Sequence, residues 1–342
     1  MTGYGLNNVF CGRWRIAAVA VTLAFAGACA STASGALADL YETDNLTGNI
    51  YRFTPAGVQT TFASGLNHPE GLTFDASGNL FVADTNNDRI VEYSPTGVQT
   101  VFASGLNHPA GLAFDSSGNL FVGDLSGSIF KYTPLGIQST FVTGLNHPEG
   151  LAFDSSGNLY ESDNFTASVF QFTPAGTQSA FASGLNRPVG LVFDSAGNLY
   201  EADNNTGTIF RYSPAGVQSI FATGLNHPRG LTIDYAGNIY VADANSGTIF
   251  EYTPAGVQST FATGLSGPYG IAINFVPELV TWQALVVFFG VVLSLERMRG
   301  KKSRLSGRCH TLLGRKVRSV NSVNQRMALL FGSHGRFDDN LT

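Results

Sequence analysis

Cysteine is nearly absent. Only three of the 342 residues are Cys, and Cys11, Cys29 and Cys309 all lie outside the stretch 38–276. A disulfide framework is therefore excluded for that stretch. A domain of its size buries about 70–75% of its unfolded surface and needs none. Basic charge is just as scarce. Between Asp39 and Glu278, six Lys and Arg face twenty-one Asp and Glu, a formal −15; the whole chain is at −5 because its C-terminal part is basic. So acidic a domain is a poor partner for nucleic acid or anionic lipid. The stretch also has no apolar run of helix length. Nor does it contain a Ser-His-Asp or Cys-His set, a phosphate-binding glycine loop or zinc-type spacing.

What is there is a repeat. GLNHP begins at Gly65, Gly105, Gly144 and Gly224, with GLNRP at Gly184 and a worn GLSGP at Gly264. The spacing is forty residues, once thirty-nine. Each unit holds four short apolar runs; in the first these are 71–74, 79–83, 89–93 and 98–103. Asp75-Ala76-Ser77-Gly78 and Ser94-Pro95-Thr96-Gly97 are turn sequences between them. Four antiparallel strands per forty residues is one propeller blade. Leu72, Phe74, Val98 and Phe102 are expected on a buried side, and the Gln, Thr and Ser of the last strand on an outer edge, where polar residues discourage pairing with another chain.

The blade count closes at six. Before Gly65 the chain supplies three runs, around 40–43, 49–53 and 58–63, and after Gly264 one more, 269–274. The two ends together complete a shared blade. The expected fold is all-β, a six-bladed propeller of four-stranded blades over 37–276, between an N-terminal signal peptide and one C-terminal transmembrane helix.

The pattern PxGLxFDxxGNLYVADxxxxxI resembles the NHL repeat, whose fold overlaps with the gluconolactonase-like and streptogramin-lyase-like six-bladed propellers. The resemblance runs through every blade and implies the fold; such folds host many activities. In the gluconolactonase-like proteins, metal ligands sit at the start of the innermost strand, the x of PxG. Here that ring reads Glu70, Ala110, Glu149, Val189, Arg229 and Tyr269. Two carboxylates fall short of the six to eight oxygens a hard cation such as Ca²⁺ wants. No cofactor is expected, and no catalytic residue is assigned. Arg229 is placed to pair with either glutamate. Glu70, Glu149, Arg229 and Tyr269 form the candidate ligand site, with Arg229 gripping a carboxylate or sugar hydroxyls and Tyr269 offering a stacking face. The alternative reading of the same channel is a metal-dependent lactonase or lyase; a third is a structural surface-layer component.

Three further sets recur. His68, His108, His147 and His227 precede a Pro and read as turn residues. Asp44, Asp84, Asp124, Asp163, Asp203 and Asp243 end each second strand, where an Asp can bind loop amides. Asp84-Thr85-Asn86-Asn87-Asp88 looks like the start of a calcium loop, but Arg89 stands at its Gly position. Glu42, Glu161 and Glu201 replace the Val of the second strand and should be hydrogen-bonded to a neighbouring blade, because an unpaired buried carboxylate is costly.

The ends address the protein. Residues 1–36 have Arg13 and Arg15, an apolar run 16–28 and small residues to Ala36, the pattern of a secretory signal peptide. Residues 279–295 carry no charge and precede Arg297, Arg299, Lys301, Lys302 and Arg304, which puts a spanning helix with its C-terminal side in the cytoplasm. With Pro277-Glu278 ahead of it, the segment 277–304 resembles a PEP-CTERM sorting signal, although Leu279 stands where that motif has a second Pro. The resemblance implies processing by an exosortase-type membrane peptidase. Residues 305–342 form a basic tail expected to lack a fold. The chain is thus expected to be exported to the cell surface, periplasm or exterior, anchored at least transiently, with an extracellular polysaccharide, peptide or small molecule as partner.

Overall fold

A computed structural model describes residues 38–274. The expected signal peptide, PEP-CTERM-like segment, transmembrane helix and basic tail lie outside the described residues. Among those described, no helix is long and apolar enough to cross a membrane.

Twenty-four strands form six four-stranded antiparallel sheets in which sequential strands are neighbours. In the first complete blade they are Pro69–Phe74, Leu80–Asp84, Arg89–Tyr93 and Gln99–Ser104, from the inside out. The inner strand starts two residues before the expected run. Pro69 opens it, a position where no ladder N–H is needed. The outer strand starts one residue late, because Val98 belongs to the turn and is 62% exposed. Val98 therefore does not share the buried side with Phe102, as the alternation had implied. The two ends meet as expected. Pro268–Ile273 pairs with Leu40–Asp44 through Leu40↔Ile273, Tyr41↔Ala272 and Glu42↔Ile271. One sheet thus joins residues more than 220 apart and leaves the ring without an open inner edge.

Repeated aromatic contacts hold blade to blade. In four of the six blades the aromatic at the second position of the second strand meets its own blade's outer Phe and the next blade's inner Phe; for Tyr200 and Tyr240 the next inner residue is an Ile. Phe81 packs edge-on to Phe102 at 5.0 Å and to Phe114 at 5.1 Å; Phe102 in turn meets Tyr132 at 5.6 Å. Tyr41, Phe121 and Tyr160 repeat the arrangement. Each such pair contributes about 0.5–1.5 kcal/mol beyond its area.

The terminal Asp of the second strand acts as a clip. Asp203 accepts from the backbone N–H of Asn186 at 2.8 Å, and Asp84, Asp124, Asp163 and Asp243 accept from Asn67, Asn107, Asn146 and Asn226. In the shared blade Asp44 does the same for Ser266. Each also binds its own loop, as the sequence implies: Thr206 and Thr47 donate to Asp203 and Asp44. These carboxylates are almost fully buried. Asp203→Ala would leave loop amides unpaired at an expected cost of about 1–3 kcal/mol. A urea titration checks this; an unchanged midpoint would show that the clip carries no stability.

One expectation fails. Glu42, Glu161 and Glu201 are fully buried, and neither carboxylate oxygen of any of them has a hydrogen-bond partner. Glu161 shares a strand face with Leu159, whose neighbours are Phe121, Ile129, Leu151 and Phe172. With neither oxygen hydrogen-bonded, burial, with Asp163 second, pushes the Glu161 carboxyl well above its usual range. Glu201 is raised in the same way, with Asp203 as the lesser cause. Glu42 is raised too, tempered by the nearby Tyr269 amide.

Candidate functional site at the channel mouth

The ring begins with a glycine. A Cβ on Gly150 would lie 1.9 Å from the Val189 carbonyl oxygen, and one on Gly71, Gly111, Gly190, Gly230 or Gly270 would lie 2.1–2.4 Å from the matching carbonyl of the next blade. Only glycine lets six inner strands approach this closely. Side chains of the second strand tie the same carbonyls: Ser162 Oγ donates to Val189 at 2.6 Å and Thr43 Oγ1 to Glu70 at 2.6 Å. The residue before each glycine is thereby fixed on the channel wall. The channel holds a cavity of about 80 Å³ lined by Ala110, Glu149, Val189 and Tyr269 of this ring, by five of the glycines and by the leucines behind them.

Four of the six ring residues interact. Tyr269 reaches from the shared blade to the blade opposite and donates its hydroxyl to Glu149 Oε2 at 2.6 Å. Asn164 Nδ2 donates to Glu149 Oε1 at 3.1 Å, and His147 Nδ1 stands 3.2 Å from the same oxygen. Arg187 Nε donates to Asn164 at 3.3 Å, extending the chain outward. The Arg229 guanidinium lies over the Tyr269 ring, 4.3 Å from its centroid. Its Nε is buried without a partner. Glu70 is 3.6 Å from His68 Nδ1.

The electrostatics follow. Burial alone would raise the Glu149 carboxyl, but contacts from His147 and then Tyr269 reverse the sign and hold it below the ordinary carboxylate value. Burial wins at Glu70, which is raised despite His68. Tyr269 is pushed far up by burial and by the two carboxylates. His68 is raised chiefly by its contact with Glu70. His147 would be lowered by burial, but Glu149 outweighs this and raises it.

Glu70, Glu149, Arg229 and Tyr269 are thus gathered at one mouth. Two contacts differ from expectation. Arg229 pairs with neither glutamate, because Glu149 is engaged by Tyr269, Asn164 and His147, and Glu70 by His68. Arg229 also covers a face of Tyr269. The sequence missed His68 and His147. His68, His108, Arg187 and His227 do occupy a left-handed turn position, with φ between 49° and 66°. His147 does not, and its imidazole turns to Glu149. The shortened thirty-nine-residue spacing before it was the one available signal. The calcium-like loop is closed by its own side chains, since Asn87 Nδ2 and Arg89 Nε both donate to Asp84 Oδ2. Among the described residues, no group of three or more His, Cys, Asp or Glu is arranged to hold a metal ion.

The fold and this ring define the class, a six-bladed β-propeller with an asymmetric channel mouth. The family model described as the NHL repeat matches residues 66–93, most of the first complete blade; the chain is a propeller carrying that repeat. A chain of a nidogen–laminin complex superposes with a TM-score of 0.64 at 24% identity, over 69% of this chain and 98% of that one. A streptogramin B lyase gives 0.57 at 17% identity, over 69% and 87%. A gluconolactonase candidate gives 0.55 at 20% identity, over 61% and 82%. These likenesses are of fold. No curated protein matches the sequence significantly.

Proposed function

We propose that this protein is an exported propeller, anchored at least transiently through 277–304 and processed there by an exosortase-type peptidase. It acts as a binding or scaffold module for a peptide, polysaccharide or small ligand, received at the channel mouth and the loops around it. The contrast between frame and rim carries this reading. The glycine ring, the Asp clips and the Asp-x-x-Gly-Asn turns recur nearly unchanged from blade to blade, whereas the ring position holds Glu, Ala, Glu, Val, Arg and Tyr. Recognition on loops over a rigid frame is the common use of such a scaffold. The nidogen–laminin neighbour, solved as a complex, is compatible with it.

The test is a thermal-shift panel of soluble peptides and oligosaccharides on the full-length chain. A ligand at a hundred times its dissociation constant adds about 2.7 kcal/mol, which raises Tm by roughly 2–4 °C per kcal/mol in a domain of this size. One or more compounds should shift the wild-type protein and not Arg229→Ala. Turnover of a lactone or streptogramin would replace the reading with an enzymatic one. A panel without any shift or turnover would favour a purely structural role.

A further inference from the structure

Resting on the mouth as a binding site, we propose that it receives an acidic sugar, with the uronate carboxylate on Arg229 and the pyranose against the surrounding rim. Among the described residues Arg52, Arg89 and Lys131 each have an aspartate partner. Arg187, Arg211 and Arg229 have none, but Arg187 donates to Asn164 and Arg211 lies by the Tyr200 ring, so Arg229 is the one mounted on the channel ring itself. Arg229 has no carboxylate at ion-pair distance among the described residues, and its Nε is a buried donor with nothing to bind. The guanidinium lies over the Tyr269 ring, which limits where it can swing. A planar fork with unfilled donors matches a carboxylate in two-point contact. The two glutamates beside it do not fill that role. Glu149 is held by Tyr269 and Asn164, and Glu70 sits against His68 and is biased by burial toward its uncharged form.

The loops round the mouth carry neutral groups suited to hydroxyls, alongside His68, His108, His227 and Arg187. Asn67, Asn107, Asn146, Asn186 and Asn226 are exposed, one per loop. Their backbone amides are clipped by the Asp ring, so their positions are set. A carboxamide both donates and accepts, as vicinal hydroxyls require. Phe165 is 67% exposed and stands edge-on to His147 at 4.7 Å, beside the Glu149–Tyr269 link. It offers an apolar face to the C–H side of a sugar ring. A peptide adding as a strand to the exposed outer edges of the sheets would lie away from Arg229, and the ring cavity of about 80 Å³ offers little room for apolar side chains.

The experiment is isothermal titration of the full-length chain with trigalacturonate, its methyl ester, maltotriose and acetyl-trialanine. Trigalacturonate should bind, with the ester and maltotriose weaker by about ten- to a hundredfold. Arg229→Ala and Arg229→Lys should lose a similar factor, Phe165→Ala several-fold, and Leu135→Ser, at the opposite end of the blades, nothing. Equal binding of the ester, or full binding by Arg229→Ala, overturns the proposal. Preferential binding of acetyl-trialanine also overturns it and leaves the binding-module reading standing. If no probe binds while another compound in the thermal-shift panel does so through Arg229, the sugar assignment falls alone; if nothing binds in either experiment, both readings fall.

Discussion

Gly150→Ala is expected to abolish the closed ring, or at least to cost more than the ~1–3 kcal/mol typical of an overpacked site. The added methyl would meet the Val189 carbonyl oxygen at 1.9 Å and Ser162 Oγ at 2.8 Å. The nearer atom is backbone, so no side-chain rotation relieves the contact. The inner strand must move outward, and its five neighbours in the ring are as tightly spaced. Native stability of only about 5–15 kcal/mol makes such a loss decisive. Gly105→Ala is the control. Gly105, unlike Gly150, sits at positive φ, 77°, and has nothing within 4 Å of a built Cβ, so its cost is the left-handed backbone alone, ~1–2 kcal/mol. Circular dichroism melts of both variants decide the matter. A Gly150→Ala protein that melts with the wild type would mean the ring has slack. Its effect on ligand binding should exceed its effect on stability, because Glu149 and its link to Tyr269 adjoin the displaced backbone.

The second large effect is a gain. Glu161→Val and Glu201→Val, made together, should stabilise the propeller at neutral pH and flatten its pH dependence. The matching position in other blades is Val82, Val122 and Val241, each fully buried. A buried polar group without a hydrogen bond costs about 1–3 kcal/mol by protein mutational data, and valine also suits a strand. Both carboxyls are raised above their unfolded value of 4.5, by burial first and by Asp163 and Asp203 second. The folded protein therefore holds protons that the unfolded chain releases above about that pH. The contribution of each group to stability is highest below that pH and falls as pH rises toward the folded value, with a limiting slope of about 1.4 kcal/mol per pH unit. Urea midpoints from pH 4.5 to 8 should decline for the wild type, and the double variant should diverge upward from it as pH increases. Parallel curves would show that the glutamates find partners in solution.

Much of this molecule is written in its period. The forty-residue spacing, the turn sequences and the three-plus-one division of the terminal runs determine six blades and their closure, because strand and turn preferences act within a few residues and the repeat enforces the same choice each time. The Asp at the end of each second strand, binding its own loop, was legible for the same reason; its further bond to an amide seventeen positions earlier in every complete unit was seen only in the structure. The periodic pattern also identified the ring residues, which occupy one register position. Only the tertiary structure decided what those residues do with each other. Tyr269 and Glu149 are 120 residues apart, and their bond depends on a side chain long enough to cross a channel whose width the glycine ring sets. Arg229 remains without a carboxylate because Glu149 is claimed from the opposite side, and His68 and His147 each stand by the glutamate of their own blade although only His68 adopts the left-handed turn. The fate of Glu161 and Glu201 was likewise out of reach, since the sequence placed them between blades and only packing showed that neither finds a hydrogen-bond partner. Local sequence fixes where a side chain is mounted; the competition among mounted groups for partners is settled by distances that exist only once the ring has closed.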